Sequence, residues 1–88
     1  MARFETGGAE FEQMGASNNP AVLLELGLIY ATGRNGELDF VTAHKWLNLA
    51  AHRGCSTAKA HRDDLATEMS KSDIIAAQKA AREWLTRH

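Results

Sequence analysis

The chain has 88 residues, of which 44% are hydrophobic and 24% are charged, and its formal net charge is −1. This composition predicts one small globular domain spanning residues 1–88 and excludes a disordered chain, which would be less apolar. The balanced charge argues against nucleic acid as a partner, because a nucleic-acid binder needs a basic surface that displaces counterions.

The cysteine content and the hydropathy pattern indicate a compartment. Cys55 is the only cysteine, so it cannot form an internal disulfide, which fits a reducing environment. Residues 1–8 lack the apolar run of a signal peptide, and no stretch approaches the ~18 apolar residues of a membrane span. We therefore expect a cytoplasmic protein that does not associate with membranes.

The first predicted helix covers residues 20–32 and is apolar on nearly every side. Asn19 and Pro20 favour a helix start, since proline is tolerated in the first turn. Gly33 can end the helix in a left-handed conformation. Glu25 is the only charged residue between these ends, and a helix this apolar needs cover on more than one side.

Three further helices are predicted. The second covers about residues 40–53, with Asp39 as its N-cap and Gly54 at its end. The third covers about residues 57–68, with Ser56 as its cap. The fourth is capped by Ser70 and ends near Arg87. Residues 1–19 are predicted to form a weak helix, as a degenerate half-unit, or to be partly flexible.

The second and fourth helices resemble each other at a separation of 34 residues. Asp39, Ala43 and Lys45 align with Asp73, Ala77 and Lys79. This period is typical of helix-turn-helix solenoid repeats and predicts a short right-handed helical solenoid in the all-α class. Gly27 and Ala43 would let the first two helices approach closely, and Trp46 would fill the space between units.

A set of small and aromatic residues follows a known spacing. The residues are Leu26-Gly27, Tyr30-Ala31, Gly33, Asp39, Ala43, Trp46, Ala50-Ala51 and Gly54. Over residues 22–58 the chain resembles the Sel-one-like repeat family, a relative of the tetratricopeptide repeat. Residues 69–85 resemble the C-terminal cap of small bacterial members. The resemblance implies an all-α adaptor with a repeat over 20–54, a helical capping pair over 56–88 and no catalytic residue.

The residues that could support chemistry do not form a recognisable site. The histidines, which lack metal-ligand spacing and are expected on exposed helix surfaces, are His44, His52, His61 and His88. Cys55 is interpreted as an incidental thiol, away from a helix dipole that would activate it. Adjacent Asp63 and Asp64 project in different directions and make a poor acid–base pair. We therefore predict no enzyme, no metal and no cofactor.

The predicted binding surface lies on the first helix. If Leu23, Gly27 and Tyr30 face the second helix, the remaining side of the first helix points away from it. The predicted partner-binding residues are Leu24, Glu25 and Leu28, with Lys59, Arg62 and Asp63 as a polar flank. Three interpretations stay open. In the first, the surface binds a protein partner, and in the second it is buried in a homo-oligomer. In the third, Phe11 and Met14 of the N-terminal segment cover it.

Overall fold

A computed structural model describes residue 17 and residues 19–87. This part of the chain contains four α-helices and no strand: α1 Pro20–Thr32, α2 Phe40–His52, α3 Ser56–Ala66 and α4 Lys71–Arg87. The predicted all-α class and the four helices are confirmed. The predicted N-terminal half-unit, with Phe11 and Met14, lies outside the described residues.

Both ends of α1 follow the sequence signals. The Asn19 side-chain oxygen accepts a hydrogen bond from the Ala21 N–H at 2.9 Å, and Pro20 occupies the first helical position. At the other end Gly33 adopts a φ of 71°, and its N–H donates to the Ile29 carbonyl. A glycine fits this left-handed conformation without steric cost, so the helix ends where the sequence predicts.

Asp39 fixes the start of α2 and ties the loop back to α1. Its carboxylate accepts from the Thr42 N–H at 3.1 Å and from the Thr42 hydroxyl at 2.7 Å. Its own N–H donates to the Tyr30 carbonyl at 3.1 Å. The loop between α1 and α2 is therefore fixed at its C-terminal end to both helices, and the predicted N-cap is confirmed.

The start of α3 differs from the prediction. Its N-cap is Cys55, whose sulfur accepts from the Ala58 N–H at 3.4 Å, and Ser56 is the first helical residue instead of the cap. Cys55 therefore lies at the positive end of the α3 dipole, contrary to the expectation that it would be remote from one. The cap of α4 is as predicted, because the Ser70 hydroxyl accepts from the Asp73 N–H at 3.1 Å.

The second helix, α2, is the centre of the fold. It packs on α1, α3 and α4, whereas α3 and α4 make little contact with each other. Edge-to-face contact between Trp46 of α2 and Trp84 of α4, with ring centroids 6.2 Å apart, joins the 20–54 and 56–88 segments. Trp46 thus contacts the C-terminal segment through Trp84.

The closest approach between α1 and α2 occurs at Gly27. A Cβ atom on Gly27 would lie 2.7 Å from Cγ and Cδ2 of Leu47 and 3.2 Å from the Leu47 backbone nitrogen. Leu47 is almost completely buried, so its side chain has little space to move away. The backbone proximity expected from Gly27 is therefore present, and Ala43 is fully buried as well.

Substituting Gly27 with alanine tests this close approach. Replacing glycine with alanine inside a helix stabilises the helix by about 1 kcal/mol. Overpacking a filled core, however, costs about 1–3 kcal/mol. We expect Gly27→Ala to lower the free energy of unfolding in urea by about 1 kcal/mol. A double-mutant cycle with Leu47→Ala provides the control, because truncation of Leu47 removes the two 2.7 Å contacts and should reduce the penalty of Gly27→Ala, while the 3.2 Å approach to the Leu47 backbone nitrogen remains. A stabilised Gly27→Ala single variant would contradict this packing.

Candidate functional site

The polar flank predicted on α3 forms one connected network. Asp63 accepts from Lys59 Nζ at 3.3 Å and from Arg62 Nη2 at 3.0 Å. Arg62 Nη1 also donates to the Asn48 side-chain oxygen on α2 at 2.9 Å. Hydrogen bonds from Arg62 and then Lys59 hold the pKa of Asp63 below its usual value. The network therefore joins α3 to α2.

The three predicted residues on α1 have different environments. Leu24 is half-buried and packs against the hydrophobic core, and Leu28 is also half-buried. Glu25 is exposed and pairs with Arg34 of the following loop at 2.9 Å. Among the described residues, no hydrogen bond or ion pair links this α1 set to the α3 network.

Much of α1 remains partly exposed although the helix is apolar. Leu23, Leu26 and Gly27 are its only buried residues within the described range. The half-buried apolar residues are Val22, Leu24, Leu28, Ile29, Tyr30 and Ala31. The described helices thus bury one side of α1, and the rest of its apolar surface keeps some contact with solvent.

The loop after α1 makes this end of the molecule acidic. Glu37 and Asp39 lie close enough to Tyr30 for their charges to affect its hydroxyl. Burial, with smaller contributions from these two carboxylates, raises the pKa of Tyr30. Arg34 compensates Glu25 only, so the region of α1 and its loop carries excess negative charge.

His44 on α2 is buried, which corrects the prediction that the histidines lie on exposed helix surfaces. Only 3% of its surface is exposed, and its Nδ1 has no hydrogen-bond partner in the described part of the chain. Burial is the main cause that lowers the pKa of His44, Arg62 adds to it, and Asp63 opposes it. His52 and His61 are exposed as predicted, and His88 lies outside the described residues.

The sequence analysis missed a cluster of cations and tryptophans between α2 and α4. The Lys45 ammonium lies 4.0 Å from the centroid of the Trp46 ring, and the Arg53 guanidinium lies 5.4 Å from that of Trp84. Arg87 lies about one helical turn after Trp84 on α4. Burial and then the charge of Arg87 lower the pKa of Lys45. We call these five residues the cation–tryptophan cluster. The available signal was Lys45 directly before Trp46, whereas no local pattern pointed to the contact of Arg53 with Trp84.

Comparison with models of protein families, with curated proteins and with solved structures gives no match. Within residues 19–87, none of the helices has the length and apolar character needed to cross a membrane. The same part of the chain contains no group of three side chains that could hold a metal ion.

The lowered pKa of the buried His44 predicts that stability depends on pH. Its folded-state pKa is lowered, so below about pH 6.5 the unfolded chain binds a proton that the folded chain does not. We expect the free energy of unfolding to be constant above that pH and to fall below it, by at most about 1.4 kcal/mol per pH unit from this group. Urea unfolding at about pH 7.5 and about pH 5.5 measures the difference.

The matched controls for this prediction are two histidine variants of α2. His44→Gln should lose most of the pH dependence, whereas His52→Gln, which changes an exposed histidine on the same helix, should keep it. Equal pH dependence in the wild type and in His44→Gln would show that His44 is not the titrating group.

Proposed function

We propose that this protein is a non-catalytic interaction module of the Sel-one-like repeat type, which binds a protein partner through the surface of α1. In this proposal residues 20–54 form the repeat and residues 56–88 the capping pair of a short right-handed solenoid in the cytoplasm. Leu24, Glu25 and Leu28 contact the partner, and Lys59, Arg62 and Asp63 form the polar flank.

The observation that carries this proposal is the incomplete burial of an apolar helix. α1 has 13 residues with one charge, and the described part of the chain buries only Leu23, Leu26 and Gly27 of it. Removing the remaining apolar surface from water is favourable, and an amphipathic helix or a second apolar face can provide that cover. A contact of this kind needs no reactive group.

The charges around α1 support recognition more than catalysis. Glu25 is paired with Arg34, and Asp63 is paired with Arg62 and Lys59, so these carboxylates already have cationic partners. Paired and solvated charges at the rim of an apolar surface contribute orientation and selectivity to binding. The proposal therefore assigns these groups to the rim and the leucines to the centre.

Leu28 is the best residue for testing the interface. Leu24 packs against the core, so a charge at that position would also destabilise the fold. Leu28→Glu should abolish capture of the partners that tagged wild-type protein retains from the native cell. Ile75→Glu is the matched control, because Ile75 on α4 is 55% exposed and receives the same change away from α1. Quantitative mass spectrometry compares the proteins captured by the wild type, by Leu28→Glu and by Ile75→Glu.

Light scattering on the same three proteins separates a partner from self-association. If the wild type is a monomer and only Leu28→Glu fails to capture the partners, the result supports the adaptor. A wild-type dimer that dissociates only in Leu28→Glu supports the homo-oligomer instead. Identical captured sets for wild type and Leu28→Glu, with matching thermal unfolding, would show that α1 is not the interface.

A further inference from the structure

We propose that the cation–tryptophan cluster is a second interaction surface, and that it binds a short acidic segment of a partner protein. The cluster lies on α2 and α4, so this proposal does not depend on α1 being an interface. The ligand of the cluster is a run of Asp or Glu side chains.

Among residues 19–87, the cations of this cluster form no ion pair with a carboxylate. The ion pairs in the described part of the chain are Arg34 with Glu25, and Lys59 and Arg62 with Asp63. Lys45, Arg53 and Arg87 take part in none of them. Arg53 Nε is buried with no hydrogen-bond partner among the described residues, so it is out of reach of a ligand. A guanidinium offers five N–H donors, and a carboxylate would bind Arg53 through the terminal Nη groups.

The fold stabilises these cations without a carboxylate. Trp46 lies against Lys45 and Trp84 against Arg53, in cation–π geometry. Arg53 is the C-cap of α2 and Arg87 is the last residue of α4, where the negative ends of the helix dipoles favour positive charge. The ring faces and helix ends hold the cations in position and offset part of their charge, and none of the three cations forms an ion pair with a carboxylate among the described residues.

The exposure of these side chains allows an anion to approach. Arg87 is exposed, and Lys45 and Arg53 are half-buried. Lys45 and Arg53 are eight residues apart, which is about 12 Å along a helix axis. An extended peptide covers that distance with about four residues. Carboxylates four positions apart in an acidic segment would therefore match the two cations.

An acidic peptide fits the cluster better than a nucleic acid does. Nucleic-acid strands stack their bases on open aromatic faces, but Trp46 and Trp84 are only 9% and 8% exposed. The chain has a net charge of −1, and Glu37 and Asp39 make the α1 end acidic, so a long polyanion would meet repulsion beyond the cluster.

Binding of a capped hexaglutamate peptide tests the proposal on the full chain. Trp46 and Trp84 are the only tryptophans, so their fluorescence reports on the cluster directly. We expect saturable binding that weakens with salt and falls about tenfold in Lys45→Gln and in Arg53→Gln. Lys45→Arg keeps the charge and should bind within about threefold of wild type.

Lys71→Gln is the matched control, because it removes one exposed positive charge at the opposite end of α4. It should bind hexaglutamate as the wild type does, and circular dichroism should show that all variants are equally folded. Equal weakening in Lys71→Gln would overturn the proposal in favour of general electrostatic attraction, and absence of binding would also overturn it.

Two further ligands identify the class of anion. Oligothymidylate of equal charge should bind more weakly than hexaglutamate, and inorganic phosphate should not compete at similar concentration. Tight oligothymidylate binding would assign the surface to nucleic acid, and effective phosphate competition would reduce it to a small-anion site. Neither result affects the α1 proposal, since Leu28→Glu is tested with different ligands.

Discussion

The packing of three helices around α2 is the constraint on which the structure depends. Because α3 and α4 make little contact with each other, α2 provides most of the surface that holds them in one fold. This explains why small residues such as Ala43 and Ala50 are completely buried in α2, and why Leu47 lies directly against the backbone of α1. A helix covered on several sides also buries His44, which an isolated amphipathic helix would leave in water.

Sequence patterns predicted what depends on neighbouring residues and missed what depends on packing. Asn19, Gly33 and Asp39 mark helix ends through local hydrogen bonds, so those boundaries were predicted correctly. Cys55 was missed as an N-cap because a thiol is a weaker acceptor than the hydroxyl of adjacent Ser56. The burial of His44 and the cation–π contact of Arg53 with Trp84 require helices distant in sequence, which no local pattern specifies.

The 34-residue similarity between α2 and α4 holds for their buried faces and fails for their caps. The buried pairs at that separation are Ala43 and Ala77, Leu47 and Ala81, and Ala50 and Trp84. The caps are out of register, because Asp39 precedes α2 whereas Asp73 lies within the first turn of α4, after the cap Ser70. The two helices therefore share the residues that pack against their neighbours and differ in their first turns.

The small net charge conceals two regions of opposite character. The α1 region combines apolar surface with excess carboxylates, and the cation–tryptophan cluster between α2 and α4 contains three cations that form no ion pair among the described residues. Apolar contact would supply most of the affinity, while charge would fix orientation and speed encounter. A partner with an apolar helix linked to an acidic segment could occupy both regions, and the second contact would then be intramolecular. Such bivalent binding would raise the affinity of a small domain without enlarging either surface.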